Sequence, residues 1–361
     1  MDIHFNGYKV RYVQLNQFFR PIRSTHNIRS INIYINLDDF FHTMHKPLIN
    51  NQFQICSNDA SKQFISNIFN LIGHYRNWAL KERMSVKVFG IYTSASRAFK
   101  NNIHVHEYRK KFIEHNNPSN ASYYFINQAI HAALPVMATI SNYVPDVYLI
   151  DSKYLEPSIV PLYIDKDLYH ADWNLLISRD TYDLQYAYKD KWSLIVPKGD
   201  NSRIITGRDI WNYVSIKEHV YKEPVDLVYD CSLYILAKSI VGDQYRNIPR
   251  LRRIGWKTLF KYLDDTIAKN KDCSLVRMQN YLVELLEDKK VGFDDINSNI
   301  ACTNVEEQVN AMMEIDKTVI DSQFIDIPDY ENLKEMNRTK FYKYPINLDF
   351  LCNELVKKTP F

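Results

Sequence analysis

Basic residues crowd one stretch of the sequence. Between Arg246 and Lys261 there are six lysines or arginines and no acidic residue. An acidic turn at Gly242-Asp243 precedes the stretch, which passes an Ile-Pro corner and a second turn at Gly255 before an apolar helix. Backbone N–H groups at the start of a helix, surrounded by basic side chains, bind phosphate. This charge density favours a nucleic-acid backbone over a small anion, although a solvated basic face would explain an isolated run. The six residues are Arg246, Arg250, Arg252, Arg253, Lys257 and Lys261.

Acidic residues follow two predicted strands. The β-branched run 31–37 predicts a buried central strand, and the run 173–178 predicts another. Open α/β sheets carry their sites at the carboxyl ends of the strands. Hydrolysis of a phosphodiester by two magnesium ions needs several carboxylates that converge there. The polar residues at these ends are Asn36, Asp38, Asp39 and His42 at the end of the first run, and Asp180 and Asp183 after the second.

Strand and helix patterns alternate along the body of the chain. This alternation predicts an α/β fold with a mostly parallel central sheet flanked by helices. Predicted strands span 31–37, 86–92, 147–150, 173–178 and, at an edge, 192–196; predicted helices span 57–81, 123–134, 155–164, 225–241 and 274–290.

The net charge of +3 conceals an asymmetry. Residues 262–361 contain 12 Lys and Arg against 19 Asp and Glu, whereas residues 1–261 contain 33 against 23. A basic body suits a polyanionic partner, and an acidic end suits a protein contact or a charge shield. The five cysteines are scattered, which favours a reducing compartment over a zinc module. No signal peptide or membrane span is predicted, so we expect a cytoplasmic protein without a membrane partner.

The basic stretch resembles the GD-x-x-DNIPG-x-x-GIG-x-KT signature of the flap endonuclease and 5′-3′ exonuclease family. The order and spacing of motifs resemble this family over roughly residues 31–262. The resemblance implies a PIN-like domain and a helix-three-turn-helix that grips the backbone of duplex DNA. It assigns nucleic-acid contacts to Gly255, Lys257 and Thr258 as well as to the basic residues, with Arg250 and Arg253 replacing two glycines of the signature.

A second basic segment resembles the family motif FR…PEYK-x-x-R, whose basic side chains contact phosphate near the processed strand end. The motif corresponds to 96–100 and 107–112 here. An exposed basic helix is the structural alternative for this segment. The residues that the resemblance assigns to phosphate are Arg97, Arg109, Lys110 and Lys111.

The family's metal-binding acids can be matched one by one. Glu156, Asp180 and Asp243 are retained, which implies at most one weakly held ion, Mg²⁺ or Mn²⁺. Asp38, Asp39 and Asp183 could supply further ligands only if their segments shift register. An arginine in place of a ligand repels a cation. The six changed positions carry Asn36, Gly90 or Ile91, Ser158, Ile159, Tyr182 and Arg246.

Three functions follow from this pattern. The first is a flap-endonuclease-like protein that binds DNA, as duplex or flap, or RNA, with a metal site too depleted for efficient cleavage. The second is an active, divergent Mg²⁺-dependent 5′ nuclease of DNA replication or repair. The third is a scaffold subunit of a larger, viral assembly, in which the acidic end binds a protein partner.

The motifs also suggest a division of the chain. We expect an amino-terminal extension at 1–30, the PIN-like nuclease-fold domain at 31–225, the helix-three-turn-helix subdomain at 226–290 and an acidic segment at 291–361. Frequent Asn, Ile, Lys and Tyr suggest an AT-rich genome such as that of a bacteriophage, which would place the protein in the host cytoplasm.

Overall fold

The structure is a computed structural model. It describes residues 9–37, 40, 58–92, 137, 141, 144–151, 157–198, 202–225, 227, 229–243, 248–251, 254–270 and 274–314.

A six-stranded sheet forms the centre of the molecule, in the order β3-β2-β1-β4-β5-β6. The first five strands of this order are parallel, and β6 pairs antiparallel with β5. β1, the predicted central strand, lies between β2 and β4. The strands are β1 (Ser30–Asn36), β2 (Ser85–Tyr92), β3 (Val147–Asp151), β4 (Trp173–Ile177), β5 (Trp192–Val196) and β6 (Arg203–Ile205).

Helices follow the strands and border the sheet, so the expected α/β architecture with a mostly parallel sheet is confirmed. The helices are α1 (Tyr12–His26), α2 (Asn58–Lys81), α3 (Val160–Tyr163), α4 (Ile210–Lys217), α5 (Leu233–Val241), α6 (Trp256–Asn270), α7 (Leu275–Asp288), α8 (Phe293–Thr303) and α9 (Val305–Glu314). Two 3₁₀ helices span Thr181–Tyr186 and Gly207–Asp209, and a π-helical turn spans Ile164–Leu168.

The two faces of the sheet bury different cores because successive side chains of a strand point to opposite sides. Ile31, Ile33 and Ile35 of β1 pack with α1 and α2. Tyr34 of β1 points to the other face and joins the core formed with α3 to α9. On that face Tyr34 stacks on Phe89 of β2 and on Trp192 of β5.

Three local predictions need correction. The run 192–196 is not an edge strand, because the three residues of β6 pair outside it. The helix expected over 225–241 begins at Leu233, since the Asp230 carboxylate accepts the Ser232 N–H at 2.8 Å and forms a turn that competes with helix. Among residues 157–164, the described part of the helix expected over 155–164, the regular helix is confined to Val160–Tyr163 and continues as the π-helical turn. The helix expected over 123–134 lies outside the described residues.

Candidate nucleic-acid interface and metal-ligand positions

The turn after α5 depends on a glycine in an unusual conformation. Gly242 has a φ of 73°, and a Cβ there would lie 2.6 Å from the Ile248 carbonyl oxygen and 2.8 Å from the Arg250 nitrogen. A side chain is therefore excluded by both conformation and space. The next residue, Asp243, exchanges two backbone hydrogen bonds with Ile248, at 3.0 and 2.9 Å. These bonds close the base of the loop 244–247.

The Asp243 carboxylate is buried against a lysine. Nζ of Lys238, one turn earlier on α5, lies 3.1 Å from Oδ2 of Asp243, and the two side chains are only 9% and 4% exposed. A buried carboxylate needs a compensating charge, and the ammonium group supplies it here. The family resemblance assigns Asp243 to a metal cation and gives no role to Lys238, although the lysine lies only five positions earlier, at the end of a helix.

Basic groups surround the start of α6. Arg250, Lys257 and Thr258 are exposed, and Lys261 is exposed one turn further along the helix. The guanidinium group of Arg250 lies beside Gly255. A Cβ atom added at Gly255 would lie 3.7 Å from Nη1 of Arg250. Gly255 accepts the N–H of Leu259 in the first turn of the helix. Arg246, Arg252 and Arg253 lie outside the described residues.

Asp180 and Asp183 have different surroundings. Asp180 is partly exposed, and its Oδ1 atom accepts the backbone N–H of Tyr182 at 2.9 Å, so this carboxylate caps the 3₁₀ helix Thr181–Tyr186. Asp183, inside that helix, has no exposed surface. The pKa of Tyr186 is raised well above its usual value, first by the burial of Tyr186 itself and second by the negative charge of Asp183. Of the two, Asp180 alone is open to solvent.

Neutral side chains at positions where the family resemblance expects acids belong to the core. Tyr182 has no exposed surface, and its hydroxyl accepts a hydrogen bond from Nε2 of Gln308 at 2.6 Å. Ile159 is 2% exposed and packs in the same core cluster. Ser158 is also buried, and its carbonyl oxygen accepts the hydroxyl of Tyr186. These positions contribute packing and structural hydrogen bonds.

The ends of β1 and β2 are likewise apolar or neutral. Asn36 is 9% exposed, and its Oδ1 atom accepts no hydrogen bond within the described part of the chain. It pairs in register with Ile91, which is buried. At Gly90 a Cβ would lie 2.8 Å from the Leu149 side chain and 3.0 Å from that of Leu37. An aspartate at position 90 would therefore need its neighbours to move.

Several predicted site residues lie outside the described part of the chain. Within the described residues no group of three or more His, Cys, Asp or Glu is arranged to hold a metal ion. In the same residues, no helix is both long and apolar enough to cross a membrane. The predicted site residues outside the described ranges are Asp38, Asp39, Arg97, Arg109, Lys110, Lys111 and Glu156, in addition to the three arginines named above.

Helices α8 and α9 dock on the 3₁₀ helix that follows β4. Gln185, 2% exposed, accepts the backbone N–H of Val305 at 2.8 Å and donates to the carbonyl of Thr303 at 3.1 Å. Glu306 pairs with Lys189 and, at 3.5 Å, with Lys166. The hydrogen bond from Lys189 is the main cause that lowers the pKa of Glu306. No sequence pattern pointed to these contacts, because each joins residues more than 100 positions apart.

The architecture is that of the flap endonuclease and 5′-exonuclease fold. The bacteriophage T5 flap endonuclease, as a pseudo-enzyme–product complex with DNA and metal ions, superposes with a TM-score of 0.52 and 16% identity, over 86% of this chain and 100% of that one. The T5 5′-exonuclease with bound zinc gives a TM-score of 0.51 and 17% identity, over 85% and 99% of the chains.

At this level of identity the likeness establishes the fold, as the sequence resemblance implied. No family model matches the sequence, and no curated protein matches it either.

Proposed function

We propose that this chain is a flap-endonuclease-like protein that binds DNA or RNA through its phosphate backbone and cleaves it weakly or not at all. The buried pair of Lys238 and Asp243 is the observation that carries this proposal. A divalent ion bound by Asp243 would meet an ammonium group already 3.1 Å from the carboxylate. Repulsion between the two cations in a buried setting opposes occupancy by the metal.

The donor set of the described residues does not fit a two-metal centre. Such a centre needs several oxygen ligands around each ion, with the pair about 4 Å apart. Asp180 is partly exposed but caps a helix, and Asp243 is neutralised. Tyr182 and Ile159 are packed in the core. We therefore derive no catalytic step through metal ions, and we propose that any ion held by Glu156, Asp180 and Asp243 is single and weak.

Binding of the phosphate backbone is supported by the exposed cations at the start of α6. Arg250, Lys257 and Lys261 are exposed there, and free N–H groups at a helix start add partial positive charge. We propose that α5, the turn and α6 act as the helix-three-turn-helix, within a subdomain at 226–290 attached to the nuclease-fold domain 31–225. From the family resemblance alone, we also assign phosphate contacts to Arg246, Arg252, Arg253, Arg97, Arg109, Lys110 and Lys111.

An active divergent nuclease is less well supported. It would need Asp183 as an additional ligand, and this side chain is fully buried in the 3₁₀ helix. Asp38 and Asp39 lie outside the described residues. A scaffold role for the acidic end would predict a fixed protein partner and no affinity for nucleic acid. The binding and cleavage experiment below separates all three functions.

The experiment uses a fluorescent 5′-flap duplex and a nicked duplex at several salt concentrations, first without and then with Mg²⁺ or Mn²⁺. We expect the protein to bind both duplexes without cleaving them. The logarithm of the binding constant should fall linearly with the logarithm of the salt concentration. The double variant Arg250→Ala/Lys257→Ala should bind about tenfold or more weakly, with a smaller salt slope, whereas exposed Lys289→Ala should bind like wild type. Robust cleavage that Asp180→Ala abolishes would refute the proposal in favour of an active nuclease. Absence of binding at low salt would favour the scaffold.

A further inference from the structure

A buried asparagine on α8 joins the two ends of the basic turn. Asn299 is 4% exposed, and its Nδ2 group donates to the carbonyl of Ser239 at 2.8 Å and to that of Pro249 at 2.9 Å. Ser239 lies in the last turn of α5, before the loop, and Pro249 lies just after the loop. One amide group therefore uses both of its protons to connect the chain entering the loop with the chain leaving it.

The bonds of Asn299 add to the contacts that hold the two ends of the loop together. The base of the loop is held by the backbone pair between Asp243 and Ile248 and by the close approach of Gly242 to the same segment. A single pair of this kind is marginal in water without support. The two carbonyl groups that Asn299 binds lie on either side of this pair, so the asparagine fixes the separation between α5 and Pro249.

Helix α8 is itself fixed to the body of the protein. Its last residue, Thr303, accepts a hydrogen bond from Gln185 in the 3₁₀ helix after β4, and the following Val305 donates to the same side chain. Tyr234 of α5 donates its hydroxyl to the carbonyl of Thr181 in that 3₁₀ helix. The turn is thus positioned relative to the sheet by two routes, one through α5 and one through α8.

We infer that Asn299 is a positioning residue, through which helices α8 and α9 hold Pro249 and the adjoining Arg250 in a position suited to phosphate binding. The expected effect on nucleic-acid binding rests on the proposed function. The effect of Asn299 on the structure of the turn does not depend on it. Asn299 makes no contact with nucleic acid in this role. It acts by keeping Arg250 and the start of α6 in a fixed place relative to the end of α5, so that binding does not have to order the turn.

The test compares Asn299→Asp with Asn297→Asp. Asn297 is exposed on the same helix, so both variants add one negative charge to α8, but only the first removes the bridging amide protons. Because a buried carboxylate could prevent folding, the neutral Asn299→Ala is made as well, and circular dichroism verifies that each variant is folded. The first measurement is hydrogen exchange of the peptide containing the amides of Asp243 and Ile248, without any nucleic acid.

We expect exchange of this peptide to be roughly tenfold faster in both Asn299 variants and unchanged in Asn297→Asp. Binding to the nicked duplex should weaken by a similar factor, with a salt slope reduced by about one, because fewer phosphates are contacted at once. Unchanged exchange in folded Asn299 variants would overturn the inference. If exchange accelerates but even wild type lacks affinity for DNA and RNA, the positioning role is supported and the proposed function fails.

Discussion

Nζ of Lys238 and Oδ2 of Asp243 lie 3.1 Å apart in the interior, one on the last turns of α5 and the other just beyond its end. The ammonium group neutralises a carboxylate that the family resemblance assigns to a metal ion. The negative charge of Asp243 is therefore balanced by the protein itself.

Removing the Lys238 ammonium group should lower the stability of the protein. We expect Lys238→Met to lower the free energy of unfolding by about 3–5 kcal/mol, because it removes the ammonium group that balances the charge of a buried carboxylate. Millimolar Mg²⁺ or Mn²⁺ should recover part of the loss in thermal unfolding. The double variant Lys238→Met/Asp243→Asn carries neither charge and should show no such recovery. Equal stability of Lys238→Met and wild type would contradict this account of the pair.

The docking of the carboxyl-terminal helices should depend on Gln185. Gln185→Leu leaves the N–H of Val305 and the carbonyl of Thr303 without their buried partner. We expect a loss of about 2–3 kcal/mol in chemical denaturation and faster hydrogen exchange across α8 and α9. The exposed Gln279→Leu on α7 should stay within about 0.5 kcal/mol of wild type. Exchange that remains slow in Gln185→Leu would show that other contacts hold the helices.

Gly242 should not tolerate a side chain. Gly242→Ala places a Cβ against backbone atoms at 2.6 and 2.8 Å and keeps a φ of 73°, so we expect a loss of at least about 1–3 kcal/mol. In Gly292→Ala the nearest atom to the new Cβ would be 3.5 Å away, and this variant should change stability by less than about 1 kcal/mol. Urea denaturation compares the two variants, and similar losses for both would argue against a special conformation at Gly242.

Acid should weaken the contact between α2 and the segment before α1. Burial lowers the pKa of His74 below its ordinary value, and Lys9 and Lys81 act in the same direction against the opposing hydrogen bond to Val10. Because the unfolded chain binds a proton more readily there, this contribution to stability is complete above about pH 6.5 and decreases as the pH falls through the folded pKa.

Denaturation of wild type at pH 7.5, 6.5 and 5.5 should therefore show a progressive loss. His74→Gln can still donate to the Val10 carbonyl, whose oxygen lies 2.8 Å from Nε2 of His74, but it cannot be protonated in this range. We expect the variant to lose less stability over the same interval. Parallel pH profiles of the two proteins would mean that His74 does not contribute.

Local patterns predicted much of the fold. Hydrophobic runs located five strands of the sheet, and apolar spacing located α2 as well as α7 with its Ser274 cap. These signals succeed because an element that buries one face carries apolar residues at a short, regular spacing along the sequence. The sequence did not predict β6, because three residues are too few to show an alternating pattern. The late start of α5 escaped because a side-chain turn at Asp230 competes with helix.

The sequence by itself determined the parallel α/β architecture and the cluster of cations from Arg246 to Lys261, since these follow from residue type and short-range order. Only the tertiary structure decided that Lys238 is the partner of Asp243, that Tyr182 and Ile159 are packed in the core, and that Asn299 meets the turn from 60 residues away. Such contacts depend on how separate elements come together, which no local period encodes.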